Sequence, residues 1–224
     1  MDIDYSIVYS RRKTVRITVE RDRSVVVRAP LGMPPDKIQE VIDRKSFWLF
    51  EKTRHSQKYE RVLPSKEFVS GATIPYLGEA YQLDLIAENF DGVLFDNKFL
   101  ISSSSQSQAP QLLIDWYIEE AKRIIIPRVQ RFASLMGAVY NSANVIDLKY
   151  RWGSCTPKNN LHFNWRLIKA PLRVIEYVIV HELAHLLEPN HTQLFWQIVK
   201  TQVPDYERSK AWLKENGTLL EEAP

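Results

Sequence analysis

The stretch His181-Glu182-Leu183-Ala184-His185, continued by Leu186-Leu187-Glu188-Pro189-Asn190 and His191, decides how the chain is read. Two histidines four apart on a helix share a face, since 3.6 residues complete a turn, and together they form a two-toothed metal clamp. Glu182 lies about 100° around the helix from His181, beside the clamp, where a carboxylate can take a proton from metal-activated water. His191 follows six residues after His185, and Pro189-Asn190 supplies the helix end and turn that return the chain to the site. The pattern predicts a zinc site of three histidines, His181, His185 and His191, with Glu182 as general base.

A bare H-E-x-x-H arises by chance in unrelated helices, and a histidine on an apolar face is commonly a satisfied core residue. Here the motif is embedded in Val178-Ile179-Val180, Leu183-Ala184 and Leu186-Leu187. Burying three ionisable side chains within five positions of such a helix is costly unless they are used.

Outward from this helix, Pro171 marks its start and Pro189 its stop, because proline tolerates the first turn but cannot continue the ladder. Before it, Val145 to Trp152 reads as a strand, Gly153 to Asn160 as a turn and Leu161 to Asn164 as a returning strand. A helical pattern runs from Gln111 to Met136, either kinked or divided at Pro127, with Gly137 just past its end. After the metal helix come two more helices, Gln193 to Gln202 and Tyr206 to Glu215, the latter with Asp205 as N-cap.

The first hundred residues read as mostly β. Tyr5 to Tyr9, Thr14 to Glu20 and Ser24 to Arg28 suggest short antiparallel strands with a tight turn at Arg21-Asp22-Arg23. Pro30, Gly32, Pro34 and Pro35 end the extended region, and a helix with Asp36 in its first turn runs to about Tyr59, burying Ile38, Val41, Ile42, Phe47, Trp48 and Leu49. Thr73 to Tyr76, Tyr81 to Ile86 and Val93 to Leu100 are strands separated by Gly78 and by Asp91-Gly92, a hairpin signal. Ser102 to Gln108, the low-complexity run SSSSQSQ, suits a linker. The expected organisation is a β-rich region with one helix over 1–107 and a metal-binding catalytic region over 108–224.

The composition is that of a globular protein: 224 residues, 45% hydrophobic and 25% charged. One cysteine, Cys155, forbids an internal disulfide and fits a reducing compartment. The first residues lack the apolar core of a signal peptide, and no run nears the ~18 apolar residues that span a bilayer, so a cytoplasmic location without a membrane partner is expected. Net charge is only +3, yet Arg11 to Arg28 holds seven basic residues against two acidic ones. Such a face could attract the phosphates of DNA, although charge runs are commonly the solvated side of a hairpin.

The segments Arg151-Trp152-Gly153-Ser154-Cys155, Leu161-His162-Phe163-Asn164, Tyr177 to His185, Asn190-His191 and Phe195-Trp196 resemble the YgjP-like metallopeptidases, relatives of the SprT-like and WLM zincins. Arg11-Arg12-Lys13-Thr14, Ala29-Pro30 and Tyr76-Leu77-Gly78 extend the resemblance over nearly the whole chain. It implies an α+β fold: a minimal zincin-like metallopeptidase domain with an N-terminal β-rich extension, acting on peptide or protein substrates. It also implies His181, His185 and His191 as zinc ligands and Glu182 as catalytic base. The ligand spacing matches metzincins too, but Glu188 stands where those have glycine, and no methionine follows Met136, so there is no Met-turn. Glu188 ranks below His191 as a ligand and is a candidate outer partner.

In such a fold the Arg151 to Asn164 hairpin lies beside the metal helix, where an edge strand can pair with an extended peptide. Trp152, Trp165, Phe195 and Trp196 would wall the site, and Tyr206 or Arg151 could stabilise an oxyanion. Cys155 and His162 are better explained by packing than as a fourth ligand or redox switch. Two other functions fit parts of the pattern. One is a metal-dependent nucleotide pyrophosphatase, weakened by the lack of a Gly-rich phosphate loop. The other is a DNA-associated protein-binding module with structural zinc, weakened because a closed structural site needs no adjacent base.

Overall fold

A computed structural model describes residues 5–19, 25–46, 49, 68–148 and 151–222. The chain divides into two compact units, Met1–Val62 and Leu63–Pro224.

In the first unit, strands β1 (Tyr5–Ser10), β2 (Arg16–Val19) and β3 (Val25–Pro30) form a sheet of order β1-β3-β2. Strand β3 alternates buried Val25, Val27 and Ala29 with more exposed neighbours, the period-two pattern of a strand with one covered face. It takes the centre, antiparallel to β2 but parallel to β1, so the all-antiparallel expectation is corrected. Helix α1 (Pro35–Arg44) starts with proline at its first position and buries Ile38 and Ile42, one turn apart. Val41 is half-buried and Leu49 buried. The turn at Arg21-Asp22-Arg23, together with Phe47, Trp48 and the expected helix beyond residue 49, lies outside the described residues.

The second unit contains everything that builds the histidine cluster. Strands β4 (Thr73–Tyr76), β5 (Glu79–Ile86), β6 (Leu94–Phe95) and β7 (Phe99–Ser102) form a sheet of order β4-β5-β7-β6. Asp91-Gly92 does turn, with Gly92 at φ +83°, but β5 pairs in parallel with β7 rather than with the strand just after that turn. The hairpin is β6–β7 instead, and the expected strand Val93 to Leu100 breaks at Asn97, whose φ is positive. Leu83, Phe99 and Ile101 are fully buried, and this pairing puts them in the core.

Ser103–Gln108 is a 3-10 helix running directly into α2 (Ala109–Met136), so the expected linker is corrected. The Ser102 and Ser104 hydroxyls face Asn89 Oδ1 at 3.4 and 3.2 Å, and Gln106 Nε2 donates to the Phe68 carbonyl at 2.9 Å. A boundary at 107/108 cuts through one core, because Ile74, Leu83 and Phe99 cluster with Leu113 and Tyr117 of α2. The units divide earlier, between Val62 and Leu63. Helix α2 is continuous through Pro127, buries Leu113, Tyr117, Ala121, Ile125 and Val129 at four-residue intervals, and ends at Gly137 in the left-handed conformation.

Strands β8 (Ser142–Ile146), β9 (Gly153–Cys155) and β10 (Asn160–Asn164) form a sheet of order β8-β10-β9, with β10 parallel to β8 and antiparallel to β9. The expected strand from Val145 to Trp152 is thus displaced to Ser142–Ile146, and β9 occupies residues expected to turn. A 3-10 segment, Trp165–Lys169, leads into α3 (Leu172–Leu187), followed by α4 (Gln193–Gln202) and α5 (Tyr206–Glu221).

Helix α3 is apolar nearly all round, the pattern of a core helix. Its start is pinned by the β4–β5 turn, where Leu77 and Gly78 both have positive φ. Their N–H groups donate to the carbonyls of Ile168 and Lys169 at 2.9 and 3.0 Å. A Cβ on Gly78 would lie 2.6 Å from Pro171 Cγ, so only glycine permits this approach. Among the described residues, no helix is long and apolar enough to cross a membrane. The architecture is α+β.

Candidate metal centre

His181 and His185 project from one face of α3, with ring centroids 5.0 Å apart. The helix stops at Leu187, and the chain turns through Glu188, Pro189 and Asn190. Glu188 Oε1 accepts the Asn190 N–H at 3.3 Å, and the Thr192 N–H donates to the Asn190 carbonyl at 2.7 Å. Thr192 then caps α4 by accepting the Phe195 N–H at 3.3 Å. This tight return carries His191 back over the helix, its ring centroid 4.9 Å from that of His181 and 4.8 Å from that of His185. The turn Pro189 and Asn190 were expected to make is present, and Glu188 serves it rather than joining the histidines.

The three histidines can each offer one nitrogen, all within 4.8 Å of one another. His185 Nδ1 donates to the Pro189 carbonyl at 3.1 Å, which leaves its Nε2 lone pair free. His181 Nε2 and His191 Nε2 are 3.1 Å apart. Two nitrogens bound to one tetrahedral zinc at about 2.0–2.1 Å would stand roughly 3.3 Å apart, close to the spacing of this pair. Burial, then the neighbouring His185 and His191 and then Lys210, depress the pKa of His181 to about 3. Burial, with His191 beside it, also lowers that of His185. Neutral imidazole is the form that binds metal.

Aromatic rings hold this cluster. Phe195 is fully buried, and its ring centroid lies 5.0, 4.7 and 4.6 Å from those of His181, His185 and His191. Trp196 stacks on His191 at 5.6 Å and on Tyr206 at 5.2 Å, with Lys210 Nζ 4.6 Å from its ring. Of the four expected wall residues, Phe195 and Trp196 surround the histidines. Trp165 instead stacks on Tyr117 in the core, and Trp152 is partly buried against the same core.

Glu182 faces β9. It is 7% exposed, and its carboxylate accepts the backbone N–H of Cys155. Burial lifts its pKa to about 7, against the opposing pull of that hydrogen bond and of the Arg151 charge. Gly153 makes this fit possible, because a Cβ there would lie 2.6 Å from both Cγ and Oε1 of Glu182. Sequence reasoning named Gly153 only within a resembling segment and gave it no role, although an isolated glycine in a strand often marks such a close approach. It gave none to Asn164 either. This 1% exposed amide donates to the carbonyls of Leu148 and Arg151 at 2.8 and 3.3 Å and accepts the Arg166 N–H at 3.0 Å, fixing the approach to β9. A buried asparagine closing an apolar strand was its one signal.

A cavity of about 640 Å³ opens between β9 and α3, with Arg151, Cys155, Glu182 and His185 among its walls. Burial, then the nearby Glu182, raises the pKa of the Cys155 thiol, the opposite of activation. His162 sits on β10 opposite Ser154, and neither it nor Cys155 belongs to the histidine cluster. The Tyr206 hydroxyl donates to Glu207 Oε1 at 3.5 Å, while Arg151 lines the cavity. In the first unit, the described basic residues Arg11, Lys13, Arg16 and Arg28 are exposed, with Arg16 and Arg28 opposite each other in register.

No curated protein matches the chain. Among solved structures, the crystal structure of the metallopeptidase zymogen of Pyrococcus abyssi abylysin aligns with 40% of this chain and 93% of its own, at 16% identity and a TM-score of 0.35. The family described as YgjP-like, metallopeptidase domain, matches residues 13–216. That match spans both units and the entire histidine cluster, and the chain therefore belongs to the YgjP-like family of metallopeptidases, metal-dependent hydrolases of the peptidase class.

Proposed function

We propose that the protein is a zinc-dependent peptidase of zincin-like architecture, in which His181, His185 and His191 hold the metal and Glu182 is the general base. The observation that carries this reading is the convergence of three imidazoles beside a buried, sparingly hydrogen-bonded carboxylate. Family membership implies a divalent metal, and an all-imidazole donor set suits zinc. Zinc, when bound, supplies Lewis acidity that polarises a carbonyl and acidifies water.

The chain's own groups do the rest. Glu182 takes the proton of the attacking water and returns it to the departing amine nitrogen, and burial has tuned its pKa toward neutrality for that task. The Cys155 N–H and the missing side chain at Gly153 fix where that carboxylate stands. The ring of His185 is oriented by Pro189 and that of His191 by Trp196. Strand β9 is a sheet edge, and antiparallel alternation turns the backbone groups of Gly153 and Cys155 away from β10. With the Cys155 N–H given to Glu182, an extended substrate can pair with the remaining backbone groups of that edge, those of Gly153 and the Cys155 carbonyl. The cytoplasm as working compartment fits the lone cysteine.

Metal removal tests the reading. Chelator should abolish hydrolysis of an unfolded protein substrate and zinc should restore it, while His191→Ala should lose most of its zinc affinity. Chelator-resistant hydrolysis, or unchanged zinc content in His191→Ala, would refute the assignment.

A further inference from the structure

The cavity beside Glu182 is large enough for a ligand portion, at about 640 Å³ within the usual range of binding pockets. Its walls carry one guanidinium, that of Arg151, and one carboxylate, that of Glu182. Ser154, Thr156 and Asn159 add neutral polar groups.

Arg151 is anchored at both ends. Its carbonyl accepts from the buried Asn164, and its Nη1 donates to Ser154 Oγ at 3.1 Å. No carboxylate among the described residues makes an ion pair with it, and the charge it feels is that of Glu182 across the cavity. Arg123, Arg128 and Arg166 each meet one, in Glu120, Glu176 and Asp147, whereas Arg151, exposed and without an ion pair like Arg131 and Arg173 among the described residues, differs from those two in lining the cavity. A guanidinium presents five N–H donors in a rigid fork that matches a carboxylate. One is given to Ser154, and Arg151 lines the same cavity as Glu182.

We propose that this cavity receives a carboxylate of the substrate beside the bond being cut, held by the free N–H groups of Arg151. That carboxylate is either an Asp or Glu side chain or the chain's own C-terminus. The inference rests on the peptidase reading for its role and on Arg151 for its chemistry. The neutral Ser154, Thr156 and Asn159 can hydrogen-bond the same oxygens without opposing their charge.

The test is a cleavage profile. Zinc-loaded protein digests a complex peptide mixture, once with free and once with amidated C-termini, and mass spectrometry reads the residues flanking each cut. Enrichment of Asp or Glu at one flanking position, by roughly tenfold or more for a charge-assisted contact, identifies a side-chain carboxylate. Cuts at a fixed distance from the C-terminus that vanish on amidation identify the terminal one. In Arg151→Glu an acidic preference should shift to Lys and Arg, or the terminal preference should disappear; Arg151→Lys, which keeps charge but loses the fork, should fall between. A wild-type profile indifferent to carboxylates, or one that Arg151→Glu leaves unchanged, would overturn the proposal.

If no peptide is cut, calorimetry on the zinc-loaded protein with a Glu peptide and its Gln counterpart separates the two readings. Binding of the Glu peptide alone, lost in Arg151→Glu, keeps the carboxylate site while the peptidase reading fails. Binding lost on amidation of the C-terminus and in Arg151→Glu likewise keeps it; binding that is equal in both peptides and indifferent to amidation, or absent, overturns the carboxylate site as well.

Discussion

Two glutamates in the second unit show how surroundings divide one residue type into two roles. Glu120, on α2, receives the Tyr76 hydroxyl at 2.8 Å and two N–H groups of Arg123. Partial burial would raise its pKa, but the hydrogen bonds from Arg123 and Tyr76 outweigh that and hold it below the usual carboxylate range. Glu182, on α3, is more deeply buried and has one backbone donor and a more distant cation, and its pKa rises to about 7. The first carboxylate is kept charged and tied; the second is kept basic and available. A carboxylate without strong partners in a core costs stability, and the adjacent histidines give that cost a purpose.

The comparison can be broken by mutation. In protein stripped of metal, Glu182→Gln should stabilise the fold at pH 8. A buried acid whose folded pKa is raised from 4.5 to about 7 is fully penalised above the folded value, by about 3 kcal/mol. The gain should fade as pH falls from the folded toward the unfolded value; a loss of stability at pH 8, measured by urea unfolding, would contradict this account. Gly153→Ala should lower turnover by roughly 10²-fold through displacement of the Glu182 carboxylate, with zinc content unchanged.

Trp196→Ala should weaken zinc binding by roughly tenfold or more by freeing His191, and Trp196→Phe should restore much of it; competition with a chromogenic chelator reads both. Smallest, Glu120→Gln should cost about 1 kcal/mol, measurable by thermal or urea unfolding near neutrality. That cost should be present above the ordinary carboxylate range and vanish as pH falls through the lowered folded pKa. Equal loss at low pH would mean Glu120 acts by packing, not charge.

What could be read from the chain follows the range of the interactions. Helix α4 was expected from Gln193 to Gln202 and is found there, because its cap and apolar period are local. The Pro171 and Pro189 limits of α3 held to within two residues at each end for the same reason. The meeting of His181, His185 and His191 was legible because only a helix and one short turn separate them. Strand pairing was not. Nothing near Asp91-Gly92 tells that β5 will skip β6 to pair with β7.

Likewise, SSSSQSQ has a linker's composition, and its hydrogen bonds to Asn89 and Phe68, distant in sequence, help hold it in a 3-10 helix. Gly153 and Asn164 escaped because their roles consist of contacts with α3 and with the 148–151 segment. Sequence periodicity carries no trace of these.

The central claim is that Glu182 performs proton transfer at a metal held by the three histidines. Zinc content and peptide hydrolysis measured on the same preparations of wild type and Glu182→Gln test it most directly. The account predicts equal zinc in both and hydrolysis lowered by roughly 10²–10⁴-fold in the variant. Retained hydrolysis at full zinc occupancy would contradict it.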